Sequence, residues 1–150
     1  MEHTYWQKQS AAKPLFPDIA WSRPEQRTQA GKLGIVGGNK LGFAGVAESY
    51  GTAYEAGVGS VKVLLPDALK KTVPPSILDA LFAPSTVSGG LAKDALAELR
   101  AMGSETDALL FVGDAGRNSE TAIVYEQFLQ EYTKPVTLTR DAIDLVKNNT

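Results

Sequence analysis

Two glycine-rich turns, each directly after a short apolar stretch, hold the residues of this chain that best suit ligand binding. The first turn reads Gly37-Gly38-Asn39-Lys40-Leu41-Gly42, and the second reads Gly113-Asp114-Ala115-Gly116-Arg117-Asn118. Glycine lets a backbone approach a ligand closely, and a turn that leads into a helix directs unpaired N–H groups at that ligand. The turns therefore predict a small-molecule site, and the alternative is a pair of tight strand-to-helix turns that bind nothing.

The spacing of the first turn fits neither common nucleotide motif. No Gly-Lys-Ser or Gly-Lys-Thr follows it, and its glycines lack the intervals of G-x-G-x-x-G. A flavodoxin-like or Rossmann-like nucleotide binder stays open as a remote alternative. Asp67 would be its ribose-binding acid, although Asp67 lies about 30 residues after Gly37, where about 20 is usual.

A strand–helix–strand unit is predicted to position the first turn. Lys32–Val36 and Val61–Leu65 have the length and apolar character of buried strands. Residues 43–58 between them form an amphipathic helix, because their apolar side chains recur with a period of 3.6 residues. That face consists of Phe43, Val46, Ala47, Tyr50, Ala53, Tyr54 and Gly57. Gly57 and Gly59 are expected to end the helix.

The middle of the chain predicts two further helices and a brief strand. Pro74-Pro75 suits the start of a short helix that continues to Phe82. Thr86-Val87 is the expected strand, and a helix follows from Leu91 to Met102, ended by Gly103.

The second turn follows the most apolar stretch of the chain. Ala108–Val112 predicts a strand covered on both faces. Asn118 or Ser119 is expected to cap the next helix. Residues 135–138 predict a last strand, and Thr139 is expected to cap a final helix that contains Asp141.

Alternation of strands and helices predicts a three-layer α/β/α fold around a mostly parallel sheet. In such sheets ligands bind outside the carboxyl ends of the strands. Both glycine turns and Asp141 are predicted to lie there, so they converge on one site.

Composition sets the class of protein. The chain has 150 residues, 43% of them hydrophobic and 21% charged, with a formal charge of −2, so neither nucleic acid nor an anionic membrane is an expected partner. Cysteine is absent, which excludes disulfides, thiolate metal ligands and a cysteine nucleophile. The one histidine, His3, is near the N-terminus and is a poor candidate for catalysis. No apolar run approaches 18 residues and no signal-peptide pattern is present, so a cytoplasmic location is expected.

The chain is predicted to consist of an N-terminal arm, residues 1–31, and one domain, residues 32–150. The arm is polar and interrupted by prolines, but it contains Trp6, Phe16 and Trp21. Large aromatic side chains favour burial, so the arm is expected to pack on the domain or on a neighbouring subunit of a homo-oligomer.

The motifs and their order resemble the C-terminal domain of the YjeF type, the ATP- or ADP-dependent NAD(P)H-hydrate dehydratases of the ribokinase-like superfamily. The matching segments are Ile35–Asn39, Ala44–Val46, Ala56–Gly59, Gly113–Glu120 and Lys134–Ile143. Val46, Arg117 and Thr139 stand where that family has a small residue, a glycine and an aspartate.

The resemblance implies repair of damaged nicotinamide cofactor. Hydrated NADH or NADPH would be phosphorylated by ATP or ADP, and elimination of phosphate would restore the ring, with Mg²⁺ as an additional candidate cofactor. The residues implied to contact the substrate are Gly38, Asn39, Gly45, Val46, Gly113, Asp114, Gly116, Arg117 and Asp141.

The resemblance covers about 120 residues, roughly the first half of such a domain. The family's catalytic aspartate and adenine-nucleotide loop belong to the other half. The domain is therefore expected to be incomplete at its C-terminus, and no catalytic residue or metal ligand is assigned. A ribokinase-like module that binds ligand or partner without catalysis is the alternative.

Overall fold

The computed structural model describes residues 22–147 continuously, together with Ser10, Ala12 and Asp18. Trp6, Phe16 and Trp21, on which the predicted packing of the arm depends, lie outside the described residues. Among the residues that are described, no helix is long and apolar enough to span a bilayer.

Residues 22–147 contain five strands and four α-helices. The strands are β1 (Lys32–Val36), β2 (Ser60–Pro66), β3 (Ala80–Ala83), β4 (Ala108–Phe111) and β5 (Val136–Leu138). The helices are α1 (Ala44–Glu55), α2 (Leu96–Glu105), α3 (Ser119–Glu131) and α4 (Asp141–Val146). Single 3₁₀ turns lie at Arg27–Gln29, Asp67–Leu69 and Lys93–Ala95.

The strands form one parallel sheet in the order β3-β2-β1-β4-β5. In its centre, Ile35 of β1 pairs with Val63 of β2 on one side and with Leu110 of β4 on the other. Because every neighbouring pair is parallel, all carboxyl ends lie along one edge. The predicted α/β architecture with a mostly parallel sheet is confirmed.

Each face of the sheet carries its own hydrophobic core. Alternate residues of a strand point to opposite faces, so Ile35 packs on the face covered by α1 while Val36 packs on the other face. The second core contains the largest buried side chains of α2 and α3, among them Leu99, Tyr125 and Phe128. Helices on both faces complete the three predicted layers.

The helix predicted from Pro74 to Phe82 is wrong. Residues 74–79 form turns, and Ala80–Ala83 is the edge strand β3, hydrogen-bonded to β2. The apolar run is too short for its period to distinguish a helix from a strand, and pairing with the neighbouring strand decides its conformation. The strand expected at Thr86-Val87 is also wrong, because Val87 lies in a turn and is 99% exposed.

Helix α2 differs from the prediction at both ends. It begins at Leu96, after a 3₁₀ turn, and continues through Gly103 to Glu105. Gly103 serves close packing rather than termination, because a Cβ there would lie 2.9 Å from the Phe128 ring. The ammonium of Lys134 donates to the carbonyls of Gly103, Ser104 and Thr106 and so neutralises the carboxyl end of α2.

Arg27, which precedes β1, packs on the end of α1. The Arg27 guanidinium donates to the carbonyl oxygens of Tyr54 at 2.8 Å and Val58 at 3.1 Å. The Cζ atom of Arg27 also lies 3.8 Å from the centroid of the Tyr54 ring. Arg27 therefore supplies both a cation for the carboxyl end of α1 and a cation–π contact.

The hydroxyl of Tyr125 has no hydrogen-bond partner among the described residues, although Tyr125 is completely buried. We expect Tyr125→Phe to raise the free energy of unfolding by about 1 kcal/mol, since a buried unpaired hydroxyl keeps its desolvation penalty. Thermal unfolding at neutral pH measures this change. A less stable variant would show that the hydroxyl makes a bond that the structure lacks.

The same variant has an expected pH dependence. Burial raises the pKa of the Tyr125 hydroxyl above its usual range, and the nearby Asp114 carboxylate raises this pKa further by a smaller amount. As the pH rises, the unfolded chain therefore loses this proton at a lower pH than the folded chain does. The contribution of the neutral hydroxyl to the free energy of unfolding is complete below pH about 10 and declines at higher pH. Tyr125→Phe removes this contribution, so its stability should fall less than that of the native chain at alkaline pH.

Candidate functional site

Strands β1 and β4 are neighbours at the centre of the sheet, and each leads into one of the two glycine turns. From β1 the chain proceeds to β2 and β3 on one side and then returns to β4 and β5 on the other. This is the topological switch point of the sheet, where a crevice forms outside the carboxyl ends. The predicted convergence of the two turns on one edge is what the structure shows.

A cleft of about 600 Å³ lies between these turns. That volume is in the range of small-molecule sites. Its lining comes from the first turn, the start of α1, the second turn and the segment after β5: Asn39, Leu41, Gly42, Ala44, Gly45, Glu48, Ser49, Val112, Gly113, Asp114, Gly116, Thr139, Arg140 and Asp141.

Asp114 fastens the two turns together. Its Oδ1 accepts a hydrogen bond of 2.6 Å from the N–H of Gly38, and its Oδ2 accepts one of 3.2 Å from the N–H of Val46. Helix α1 has Phe43 at its N-cap, with no side-chain cap of its own. The carboxylate of Asp114 therefore caps α1 from the neighbouring turn, and these two amides are already occupied by an anion.

Small residues around Asp114 make this arrangement possible. A Cβ at Gly37 would lie 2.6 Å from Asp114 Oδ1 and 2.9 Å from a methyl of Val46. Gly38 has a φ of 78°, which favours glycine. From the first turn, the amide Nδ2 of Asn39 donates to the Asp114 carbonyl oxygen at 2.6 Å, a second link between the turns.

Thr139 connects the ends of β4 and β5 and does not cap the last helix. Its Oγ1 accepts from the Gly113 N–H at 3.2 Å and donates to the Phe111 carbonyl at 3.3 Å. The N-cap of α4 is Arg140, without a side-chain cap bond. The predicted cap is wrong because the Thr139 hydroxyl bonds to Gly113 and Phe111 at the end of β4 instead. For α3 the prediction is correct, since Asn118 Oδ1 accepts from the N–H groups of Glu120 and Thr121.

Arg140 has a strained backbone within the cleft. Its φ is 47° and its ψ is −121°. It is the one non-glycine residue with positive φ in the described part of the chain. Such a conformation costs on the order of 1–3 kcal/mol in a residue that carries a Cβ. The chain is closely packed at this point, since Arg140 Cβ lies 2.5 Å from where a Cβ of Gly113 would be.

Six of the nine substrate residues implied by the resemblance line the cleft: Asn39, Gly45, Gly113, Asp114, Gly116 and Asp141. Gly38 and Val46 are buried beneath it, and the Val46 side chain has no exposed surface. Arg117 lines a different groove, between α3 and α4, with Ser119 and Lys147. Contact of any of these nine residues with a ligand remains a prediction.

Lys40 of the first turn and Asp67 both have hydrogen-bond partners away from the cleft. The Lys40 ammonium donates to the Val87 carbonyl at 3.0 Å. Asp67 lies directly after β2, in the place of a ribose acid, but its carboxylate accepts from Ser85 Oγ at 2.5 Å and does not line the cleft.

Sequence reasoning missed three polar residues of the cleft. Glu48 and Ser49 follow Ala44 by one helical turn, so the helical period of α1 was a usable signal for them. Arg140 had no such signal, because its position depends on how β5 meets β4.

Glu48, Asp114 and Asp141 give the cleft three carboxylates against the single guanidinium of Arg140. Across residues 22–147, no group of three His, Cys, Asp or Glu side chains is placed to hold a metal ion.

Comparison with known proteins identifies the fold. No protein-family model and no curated protein matches the sequence. A solved ribokinase-like superfamily protein of Enterococcus faecalis V583 superimposes with a TM-score of 0.67 over 85% of this chain, at 16% sequence identity. The fold is therefore ribokinase-like. The chain spans 44% of the length of that protein.

Proposed function

We propose that this chain is a ribokinase-like unit that binds a hydrated nicotinamide nucleotide, and that it acts as the substrate-binding half of an NAD(P)H-hydrate dehydratase. The observation that carries the proposal is the convergence of both glycine turns on one cleft at the switch point of the sheet. The resemblance of the same turns to the dehydratase motifs supplies the substrate class.

The side chains around the cleft suit the hydroxyl and amide groups of a nucleotide. Glu48 and Asp141 offer acceptors for ribose hydroxyls. Ser49 offers its hydroxyl oxygen as an acceptor, while its O–H donates to the Gly45 carbonyl at 2.7 Å. Gly42 lines the cleft and no atom lies within 4 Å of the position of a Cβ there, so a planar ring can approach its backbone. These residues bind and orient the substrate in our proposal.

The cosubstrate requires groups that the described residues do not assemble. Phosphoryl transfer needs a positioned base and donors for the developing charge. The amides of Gly38 and Val46 would suit a phosphate, but Asp114 occupies them. We propose that residues other than those described bind ATP or ADP and any Mg²⁺, and that they include the catalytic aspartate. These residues would come from further sequence or from a second subunit of a homo-oligomer.

Filling the cleft tests the proposal. Ala44 is an exposed residue in the first turn of α1 and lines the cleft, so Ala44→Phe should leave the fold intact while a ring occupies the ligand volume. In calorimetric titrations with NADPH and its hydrate, we expect this variant to bind at least about 10-fold more weakly than the native chain, a loss of about 1.4 kcal/mol.

Ala97→Phe is the matched control. Ala97 is also exposed in the first turn of a helix, α2, and does not line the cleft. It should bind like the native chain. No heat with either ligand from the native chain, or equal affinities for the Ala44→Phe and Ala97→Phe proteins, would contradict the proposal.

A non-catalytic ribokinase-like module is the second candidate. Two observations favour it. The Asp114 carboxylate already occupies the N–H groups of Gly38 and Val46 that could bind a phosphate, and the side chain of Val46 fills the space beneath the cleft. The ATP- or ADP-dependent loss of hydrated NADH absorbance separates the two. Turnover by the full-length protein supports the dehydratase, whereas ligand binding without turnover supports the module.

A further inference from the structure

Arg140 supplies the cation of the cleft, and no internal contact accounts for its side chain. It is exposed and lines the cleft. Within the described part of the chain its guanidinium forms no ion pair, although Glu48 and Asp141 line the same cleft. An unpaired guanidinium in a cleft with carboxylates is available to a ligand.

The backbone conformation at this position favours glycine over arginine. A φ of 47° with a ψ of −121° strains any residue that has a Cβ, whereas glycine adopts positive φ readily. Residues 139–141 pack closely against Gly113. This packing does not account for a long cationic side chain at a position whose backbone conformation favours glycine.

We infer that Arg140 is a specificity-determining residue that binds a phosphate group of the ligand. Arginine presents a planar set of donors that matches a phosphate with two parallel hydrogen bonds. Glu48, Ser49, Asp141 and Asn39 around it suit ribose hydroxyls. The preferred ligand class is therefore a phosphorylated riboside. This inference rests on the proposed function of the same cleft and adds the residue that reads the phosphate.

Nicotinamide mononucleotide and nicotinamide riboside differ by one phosphate and so test the inference. Calorimetric titration of the native chain with each, and with NADPH, gives the affinity ratio due to phosphate. We expect the mononucleotide to bind at least about 10-fold more tightly than the riboside. Arg140→Gly should remove this ratio and leave riboside binding unchanged, while Arg140→Lys, which keeps the charge without the planar donors, should retain part of it.

Two further measurements separate ligand recognition from a structural role. Arg140→Gly should unfold at a higher temperature than the native chain, because the strain is released, so any weaker binding does not reflect misfolding. Lys32→Gln removes one exposed cation at the start of β1, at the opposite edge of the sheet, and should keep the phosphate-dependent ratio.

The outcomes distinguish this inference from the proposed function. Equal affinities of the native chain for mononucleotide and riboside, or an unchanged ratio in Arg140→Gly, would overturn the role of Arg140. The proposed function survives either result if NADPH binds the native chain and Ala44→Phe weakens it. A native chain that binds none of the three ligands would overturn both.

Discussion

Asp114→Ala is expected to lower the free energy of unfolding by about 2–4 kcal/mol. The substitution removes an ionised acceptor from the N–H groups of Gly38 and Val46, both of which are buried residues. Hydrogen bonds to charged groups contribute about 1.5–3 kcal/mol each, and the loss of a helix N-cap costs about 0.5–2 kcal/mol. For a chain of this size, we expect the melting temperature to fall by roughly 5–15 °C.

Asp114→Asn and Asp94→Ala are the controls for this prediction. The amide of Asn retains one acceptor oxygen but presents an NH₂ group to a second donor, so its loss of stability should be smaller. Asp94 is an exposed carboxylate in the 3₁₀ turn Lys93–Ala95, and its removal should change stability by no more than about 0.5 kcal/mol. An Asp114→Ala protein as stable as Asp94→Ala would show that the carboxylate does not fasten the turns.

Gly113→Ala is the second substitution with a large expected effect. A Cβ at this position would lie 2.6 Å from the Thr139 carbonyl oxygen and 2.7 Å from the Asp141 nitrogen. Both are backbone atoms, so the methyl group fits only if the segment after β5 moves away from β4. Overpacking of this kind costs about 1–3 kcal/mol, and we expect a value of about 2–3 kcal/mol in chemical denaturation.

Gly42→Ala provides the comparison within the same cleft. No atom lies within 4 Å of a Cβ at Gly42, and its φ is not positive. Stability should therefore change by no more than about 0.5 kcal/mol. If Gly113→Ala and Gly42→Ala are equally stable, the contact between the second glycine turn and the segment after β5 is looser than the structure shows.

Together the two substitutions test two different contacts that hold the walls of the cleft in place. Asp114 holds the first turn against the second, whereas Gly113 lets the segment with Thr139 and Arg140 close the far side. The proposed ligand contacts come from three separate parts of the chain. Their relative positions therefore depend on a few polar and steric contacts near the carboxyl ends of β1, β4 and β5.

The alternation of apolar stretches and glycine turns predicted most of this architecture. Lys32–Val36 and Ala108–Val112 are short, largely apolar stretches directly followed by glycine, and each contains a central strand of the parallel sheet. Because parallel strands align their carboxyl ends, the common edge of the two turns followed from the sequence. The N-cap at Asn118 could also be predicted from the sequence, since its side chain accepts a hydrogen bond from an amide of the helix that directly follows it.

Local signals failed where long-range pairing decided the outcome. Ala80–Ala83 is a strand because β2 offers a hydrogen-bonding edge, and nothing within residues 74–82 contains that information. Gly103 was predicted to stop α2, yet its role is to admit the Phe128 ring from α3. In both cases the deciding contact comes from another part of the chain.

The sequence by itself determined the class of fold, the two glycine turns and the edge at which they meet, because hydrophobic period and glycine content act over a few residues. The tertiary structure alone decided that Asp114 caps α1 from a neighbouring turn, that the side chain of Val46 is buried, and that Arg140 enters the cleft. These features depend on distances between residues far apart in the chain, and such distances are set only when the sheet and both of its cores are assembled.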